Sequence, residues 1–180
     1  MAENTKEGCI VCQIIENKIP SKKIYEDELV LAVLDVNGAN PGHCFVMPKI
    51  HYPIIEQVPS EDIGRLFQVS NKISGAIFES LSAKGTNIFV ANGVPAGQTI
   101  AHFTINVIPR MENDGINLLW QPRQLSEEEM STVELRLKEQ TKNIGNFEKE
   151  VKQAKMQALE PAFLPEDEEE YFSKQMRRLP

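Results

Sequence analysis

Imidazoles and thiols are scarce in this chain, three of each among 180 residues, and they are unevenly placed. Cys9 and Cys12 form a Cys-x-x-Cys pair, with Cys44 as the only other thiol. That usage suits a reducing compartment and a metal or redox pair better than a disulfide framework. Further along, His102, Thr104 and Asn106 alternate with Phe103, Ile105 and Val107. Residues i, i+2 and i+4 of a strand share a face, so the apolar trio is expected in a core and the polar trio at a surface or in a cleft. Just before them, Asn92-Gly93-Val94-Pro95-Ala96-Gly97-Gln98 holds two glycines, a proline and two amides, a composition that lets backbone N–H groups approach an anion closely. The polar row is poor in nucleophiles. A threonine hydroxyl has a pKa far above that of imidazole and needs a neighbouring base, an asparagine amide accepts no proton, and His102 could act as that base only if nothing else held it.

The elements that must position these groups can be read from periodicity. Residues 9–19 suit a short helix that stops before Pro20, because proline disfavours helix in the residue preceding it. Residues 23–26 and 29–34 flank Asp27-Glu28 as a hairpin, a dense run of turn residues fills 37–42, and residues 43–48 form a third strand. From Ser60 the period becomes helical. Ser60 is expected to cap a helix that carries Ile63, Leu66, Phe67, Ile73, Ile77 and Phe78 to about Ser80. Residues 87–91 and 100–109 complete five strands, which predicts an α+β fold with an antiparallel sheet. After Arg110 the composition shifts. Ser126 and Glu129 form a capping box, followed by Met130, Leu137, Ile144, Val151 and Ala158 at intervals of seven, with Val133, Phe147 and Ala154 beside them. A helix from Ser126 to about Leu159 would reach about 50 Å, too long to bury against its own domain, so part of it meets water or a protein partner. The expected organisation is a tail over 1–8, a domain over 9–115, a connector over 116–125, the long helix over 126–160 and a solvated acidic tail over 161–180.

Length suits one domain plus an extension. A net charge of −7 argues against a general nucleic-acid surface, although a local phosphate site is compatible with it. No apolar run approaches the roughly 18 residues of a membrane span, and the polar first eight residues lack the basic and apolar parts of a signal peptide, so the expectation is a cytoplasmic protein without a membrane segment.

Several blocks of the sequence resemble the histidine triad (HIT) family. They are Cys9 to Pro20, Tyr25-Glu26-Asp27, Gly42-His43-Cys44-Phe45-Val46-Met47-Pro48-Lys49-Ile50-His51, Asn92 to His102, and Val107-Ile108-Pro109-Arg110, in family order. Leu118-Leu119-Trp120 and the capped helix after Ser126 resemble the continuation of one branch. The resemblance implies a HIT-like fold of five antiparallel strands with helices, a homodimer with a ten-stranded sheet, and a purine nucleotide beside the fifth strand. It also implies catalysis by a strand reading His-x-His-x-His, whose middle histidine attacks the α-phosphate. Here His102 keeps the first position, while Thr104 and Asn106 stand at the other two catalytic positions.

In the branch with a Cys-x-x-Cys the resemblance implies a zinc ion held, position by position, by Cys9, Cys12, His51 and His102. Two thiolates and two imidazoles suit a closed tetrahedral structural site. For the nucleotide, the resemblance assigns Ile10, Val11, Ile14, Val33 and Val36 to the base pocket, Asp35 to the ribose, and Asn92, Gly97, Gln98 and Thr99 to the phosphate. His43 reads as a structural residue and Cys44 as an inert buried thiol. Two functions follow: a nucleotide binder, sensor or scaffold without nucleotidyl-histidine catalysis, or an active hydrolase or transferase of phosphoramidates or dinucleoside polyphosphates. Loss of the nucleophile favours the first.

Overall fold

A computed structural model describes residues 6–142 and residue 144. After a single 3-10 turn at Lys6–Gly8 come helix α1 (Ile10–Ile15), strands β1 (Lys23–Glu26), β2 (Val30–Leu34) and β3 (Cys44–Pro48), helix α2 (Ser60–Leu81), strands β4 (Gly85–Phe89) and β5 (Ile105–Arg110), and helix α3 (Glu127–Thr141). The five strands pair antiparallel throughout, in the order β1-β2-β3-β5-β4. The chain divides into two compact units between Leu119 and Trp120.

Strand alternation sends side chains into two separate apolar layers. Val30, Ala32, Cys44, Val46, Ile105 and Val107 face α2, where Leu66, Val69, Ile73 and Ile77 meet them. The opposite face carries Leu31, Val33 and Met47, which pack with Cys9, Val11 and Cys12 at the start of the chain. β2 is therefore buried on both sides, which explains its unbroken run of apolar residues. α1 is only six residues long and makes no side-chain cap bond, so its stability comes from this packing.

The structure moves several boundaries. The helix expected over 9–19 ends at Ile15, because Asn17 turns left-handed at φ 59° and residues 16–19 form turns. Ser60 does not cap α2: Pro59 holds that position, Ser60 is the first helical residue, and Glu61 and Asp62 place negative charge at the positive end of the helix dipole. β4 begins and ends two residues before the expected segment, because its ladder with β5 sets Gly85 opposite Arg110 and Phe89 opposite Asn106. β5 begins at Ile105 rather than at residue 100. Residues 100–104 leave the sheet because Phe103 N–H donates to the Tyr52 carbonyl at 2.6 Å and the His102 ring turns under Pro48. Phe103, Ile105 and Val107 are buried as expected, but His102 is also fully buried and belongs to no displayed polar row.

The end of β5 is locked by one carboxylate. Asp114 accepts from Arg110 Nε at 2.6 Å and Nη2 at 2.8 Å, from the N–H groups of Met111 and Ile116, and from Asn40 Nδ2. The Arg110 guanidinium and these N–H donors hold the Asp114 carboxyl well below the usual carboxylate range. A depressed folded-state pKa contributes stability that is complete above the unfolded value of about 4 and is lost as pH falls further. Asp114→Asn is therefore expected to melt well below the parent at pH 7, and the gap should close as pH falls from about 4 toward 2. A gap that stays constant with pH would show that the carboxylate charge is not what holds this corner.

α3 starts as expected. Ser126 Oγ accepts from Glu129 N–H at 3.2 Å, and Glu129 Oε2 accepts from Ser126 N–H at 2.8 Å. Met130, Val133 and Leu137, together with Ile144 beyond the helix, are all exposed. The expected continuation through Phe147, Val151, Ala154 and Ala158, and the acidic tail, lie outside the described residues. Among the described residues no helix is long and apolar enough to cross a membrane.

Candidate functional site

Four donor atoms converge under the second sheet face. Cys9 lies just before α1 and Cys12 within it, while His51 follows β3 and His102 precedes β5. Their donor atoms all fall within 4.8 Å of one another. His51 Nδ1 and His102 Nδ1 are 3.3 Å apart, Cys12 Sγ is 3.3 Å from His51 Nδ1 and 3.7 Å from His102 Nδ1, and Cys9 Sγ is 3.6 Å from His102 Nδ1. A tetrahedral zinc site with Zn–N near 2.05 Å and Zn–S near 2.3 Å has N–N edges of about 3.3 Å and N–S edges of about 3.6 Å. The cluster matches those edges, so the residues present fit such an ion.

Protonation agrees with that reading of the geometry. His102 Nε2 donates to the Pro48 carbonyl at 2.9 Å, which leaves the Nδ1 lone pair aimed at the thiols. Burial lowers the His102 pKa to about 4, so at neutral pH no proton competes for Nδ1. Burial, reinforced by the neighbouring Cys9, pushes the Cys12 thiol up to about 12. Without a cation, then, this thiol keeps its proton; a bound ion must displace it. The second nitrogen of His51, Nε2, is buried without a hydrogen-bond partner among the described residues.

Beside the cluster the same face carries the residues expected to hold a nucleotide. Val11 and Val33 are buried, Ile14 packs against them half-buried, and Ile10 is half-exposed on the outer side of α1. Val36 does not join them. At 86% exposure it stands on the rim of a shallow cleft of about 320 Å³ with Asp35 and His43. Asp35 Oδ1 accepts the Asn37 N–H at 2.9 Å, and Oδ2 lies 3.5 Å from His43 Nδ1.

The expected phosphate loop is built differently from the reading of its amides. Asn92 accepts from Ile55 N–H and donates to Glu56, and Gln98 accepts from Gly93 N–H and donates to the carbonyls of Pro53 and Ile100. Both side chains brace the loop. Gly97 supplies its left-handed turn at φ 89°. What the loop offers an anion is backbone: the N–H groups of exposed Thr99 and of Ile100 and Ala101 have no acceptor among the described residues. Thr104 and Asn106 are half-buried and alternate with the buried Phe103, Ile105 and Val107, so they face away from α2.

Two residues of this face were not read as functional from the sequence. His43 is buried, with Nε2 3.2 Å from Asn106 Oδ1, and Phe45 is half-buried, with its ring centroid 5.2 Å from that of His43. The signal was present. Cys44 and Val46 point to the main core, so His43, Phe45 and Met47 take the other face by alternation. Gly42 sets the entry to His43 with φ 91°, and any Cβ there would collide with Leu81.

Comparison with known proteins gives this fold and site a class. The chain matches the HIT domain family over residues 16–113, and it belongs to that family. It is 37% identical over 120 residues to the adenylylsulfatase HINT3 of Arabidopsis thaliana; the match takes in 67% of this chain and 59% of that protein, so a large part of the relative has no counterpart here. A crystal structure of a HIT family protein from Bacillus anthracis aligns with 76% of this chain and 99% of its own length at 37% identity and a TM-score of 0.69. A zinc-bound histidine triad family protein from Mycobacterium smegmatis aligns with 66% of this chain and 86% of its own at 32% identity and a TM-score of 0.60.

Proposed function

We propose that this HIT protein binds a purine nucleotide on the face shared by α1, β3 and β5, holds a structural zinc ion beside it, and carries out no nucleotidyl-histidine chemistry. The observation that carries the reading is the commitment of His102. Its Nε2 is bonded to Pro48 and its Nδ1 is turned to the thiol cluster, so the one remaining histidine of the expected triad has no nitrogen free for catalysis. Thr104 lacks an activating base on this account, and Asn106 has no acid–base capacity. A zinc held by Cys9, Cys12, His51 and His102 would neutralise the thiolates and tie the N-terminal segment to the sheet. The zinc-bound mycobacterial relative supports that assignment, and the Arabidopsis relative's name supports an adenylyl ligand.

Recognition needs none of the missing imidazoles. Val11, Ile14, Val33 and Phe45 offer an apolar wall, the carboxylate of Asp35 accepts from hydroxyls, and the N–H groups of Thr99, Ile100 and Ala101 donate to phosphate. Calorimetric titration with AMP, GMP and diadenosine polyphosphates is the direct test. AMP is expected to bind, with Asp35→Ala weakening it about tenfold. No detectable binding of any nucleotide at millimolar concentration would overturn the reading.

The chain is also proposed to be a homodimer. β4 is an edge strand with Ile88 and Phe89 partly exposed, and α2 leaves Phe67 and Phe78 partly exposed. Light scattering should give twice the 20.3 kDa chain mass; a monomer across the working concentration range would refute this part. If truncation after Arg123 leaves the dimer intact, the apolar stripe of α3 is available to another protein partner.

A further inference from the structure

We propose that His43 is a positioning residue that turns the Asn106 amide into the nucleotide site, making the third triad position a pure hydrogen-bond donor for a phosphate group. The inference rests on the nucleotide-binding reading above and deepens it. Its starting point is a backbone donor. Ala39 N–H lies 3.1 Å from His43 Nδ1 and can only donate, so Nδ1 presents a lone pair. In a neutral ring the hydrogen is then on Nε2, which donates to Asn106 Oδ1 at 3.2 Å. The oxygen of Asn106 is thereby held against β3, and its NH₂ group points the other way.

The ring is well fixed for this task. Gly42 leads into His43 at φ 91°, a backbone turn that residues with a side chain rarely adopt, and the tilted Phe45 ring lies against the imidazole. Asp35 Oδ2 lies 3.5 Å from Nδ1, farther than the Ala39 N–H that reaches the same nitrogen at 3.1 Å. A neutral amide locked in this sense cannot accept a proton from a leaving group, but it can donate to a charged oxygen. Charge-assisted donors of this kind are worth about twice a neutral pair. Together with the N–H groups of residues 99–101, the seat then selects for anionic phosphate over an uncharged nucleoside.

The test compares AMP with adenosine in the full-length protein and four variants. Asn106→Asp keeps the shape but replaces the donor by a second anion, and is expected to weaken AMP about tenfold or more while leaving adenosine within about twofold. His43→Leu frees the amide to rotate and should weaken AMP severalfold with the same selectivity. His43→Gln offers an acceptor and a donor in similar places and should restore the AMP-to-adenosine ratio, whereas Asn106→Gln, which keeps the amide on an arm one methylene longer, should lose it. In ¹⁵N spectra of the parent, Nε2 should be the protonated nitrogen of His43. If AMP binds but Asn106→Asp and His43→Leu weaken AMP and adenosine equally, or Nδ1 carries the hydrogen, the positioning role is wrong and the nucleotide reading stands. Failure of the parent to bind both ligands would instead remove the nucleotide reading itself.

Discussion

Protein purified without added metal is expected to contain close to one zinc per chain by elemental analysis, and His102→Ala or Cys12→Ser to contain almost none. The geometric reason is the agreement between the donor spacings, 3.3 Å for N–N and 3.3–3.7 Å for N–S, and the edges of a zinc tetrahedron. The energetic consequence is large because the ion would tie the start of the chain to His51 and His102, adding to the apolar packing that holds the six-residue α1. Structural zinc sites in small peptides contribute about 10–16 kcal/mol, and even a third of that would lower Tm by about 10 °C on chelation. The pH dependence has a definite sign. The Cys12 thiol, raised to about 12 in the metal-free protein, must lose its proton to bind, so apparent affinity rises with pH by up to about tenfold per unit for each proton displaced. His102, already neutral above about pH 4, adds no such dependence at neutral pH. Less than about a tenth of an equivalent of zinc in well-folded protein would refute the site.

The second large effect concerns turnover. Adenosine phosphoramidate and a diadenosine polyphosphate are expected to bind and yet be cleaved no faster than in a buffer control. Thr104→His combined with Asn106→His should raise cleavage by about three orders of magnitude or more, because formation and resolution of a covalent nucleotidyl-imidazole needs the imidazoles that these two substitutions would supply. The single variant Thr104→His separates the two positions: it should trap nucleotide covalently more readily than it turns over. Cleavage by the parent that disappears in Thr104→Ala would replace this account with threonine-based catalysis. Cleavage that persists in Thr104→Ala but is lost in His102→Ala would show that His102 is the working group and that its commitment to the cluster is wrong.

Strand alternation and helical period in the sequence were sufficient for the five strands, the long α2 and the capping box of α3, because each of those signals is local: burial on one side every second or every 3.6 residues, and a serine with a glutamate three residues on. The four members of the thiol–imidazole cluster were legible only through family resemblance, since Cys12 and His102 are 90 residues apart and nothing in their spacing says that they meet. Other features needed the folded chain. The start of β5 was misplaced because the pull that lifts residues 100–104 out of the sheet comes from Tyr52 and Pro48, which are distant in sequence. Composition pointed to backbone N–H groups in this loop and the family resemblance assigned the amides of Asn92 and Gln98 to phosphate, but whether an amide faces a ligand or its own loop depends on which backbone groups fold against it; here Ile55, Gly93 and Pro53 bond to them. His43 is the sharpest case. Its side was readable from alternation, while its role depends on one N–H from Ala39 that fixes the ring hydrogen and, through it, the direction of Asn106. Residue types and their periodicity thus determined which groups this protein has and which faces they take, and tertiary structure alone decided which of those groups are already bonded to the protein and which are left to bind something else.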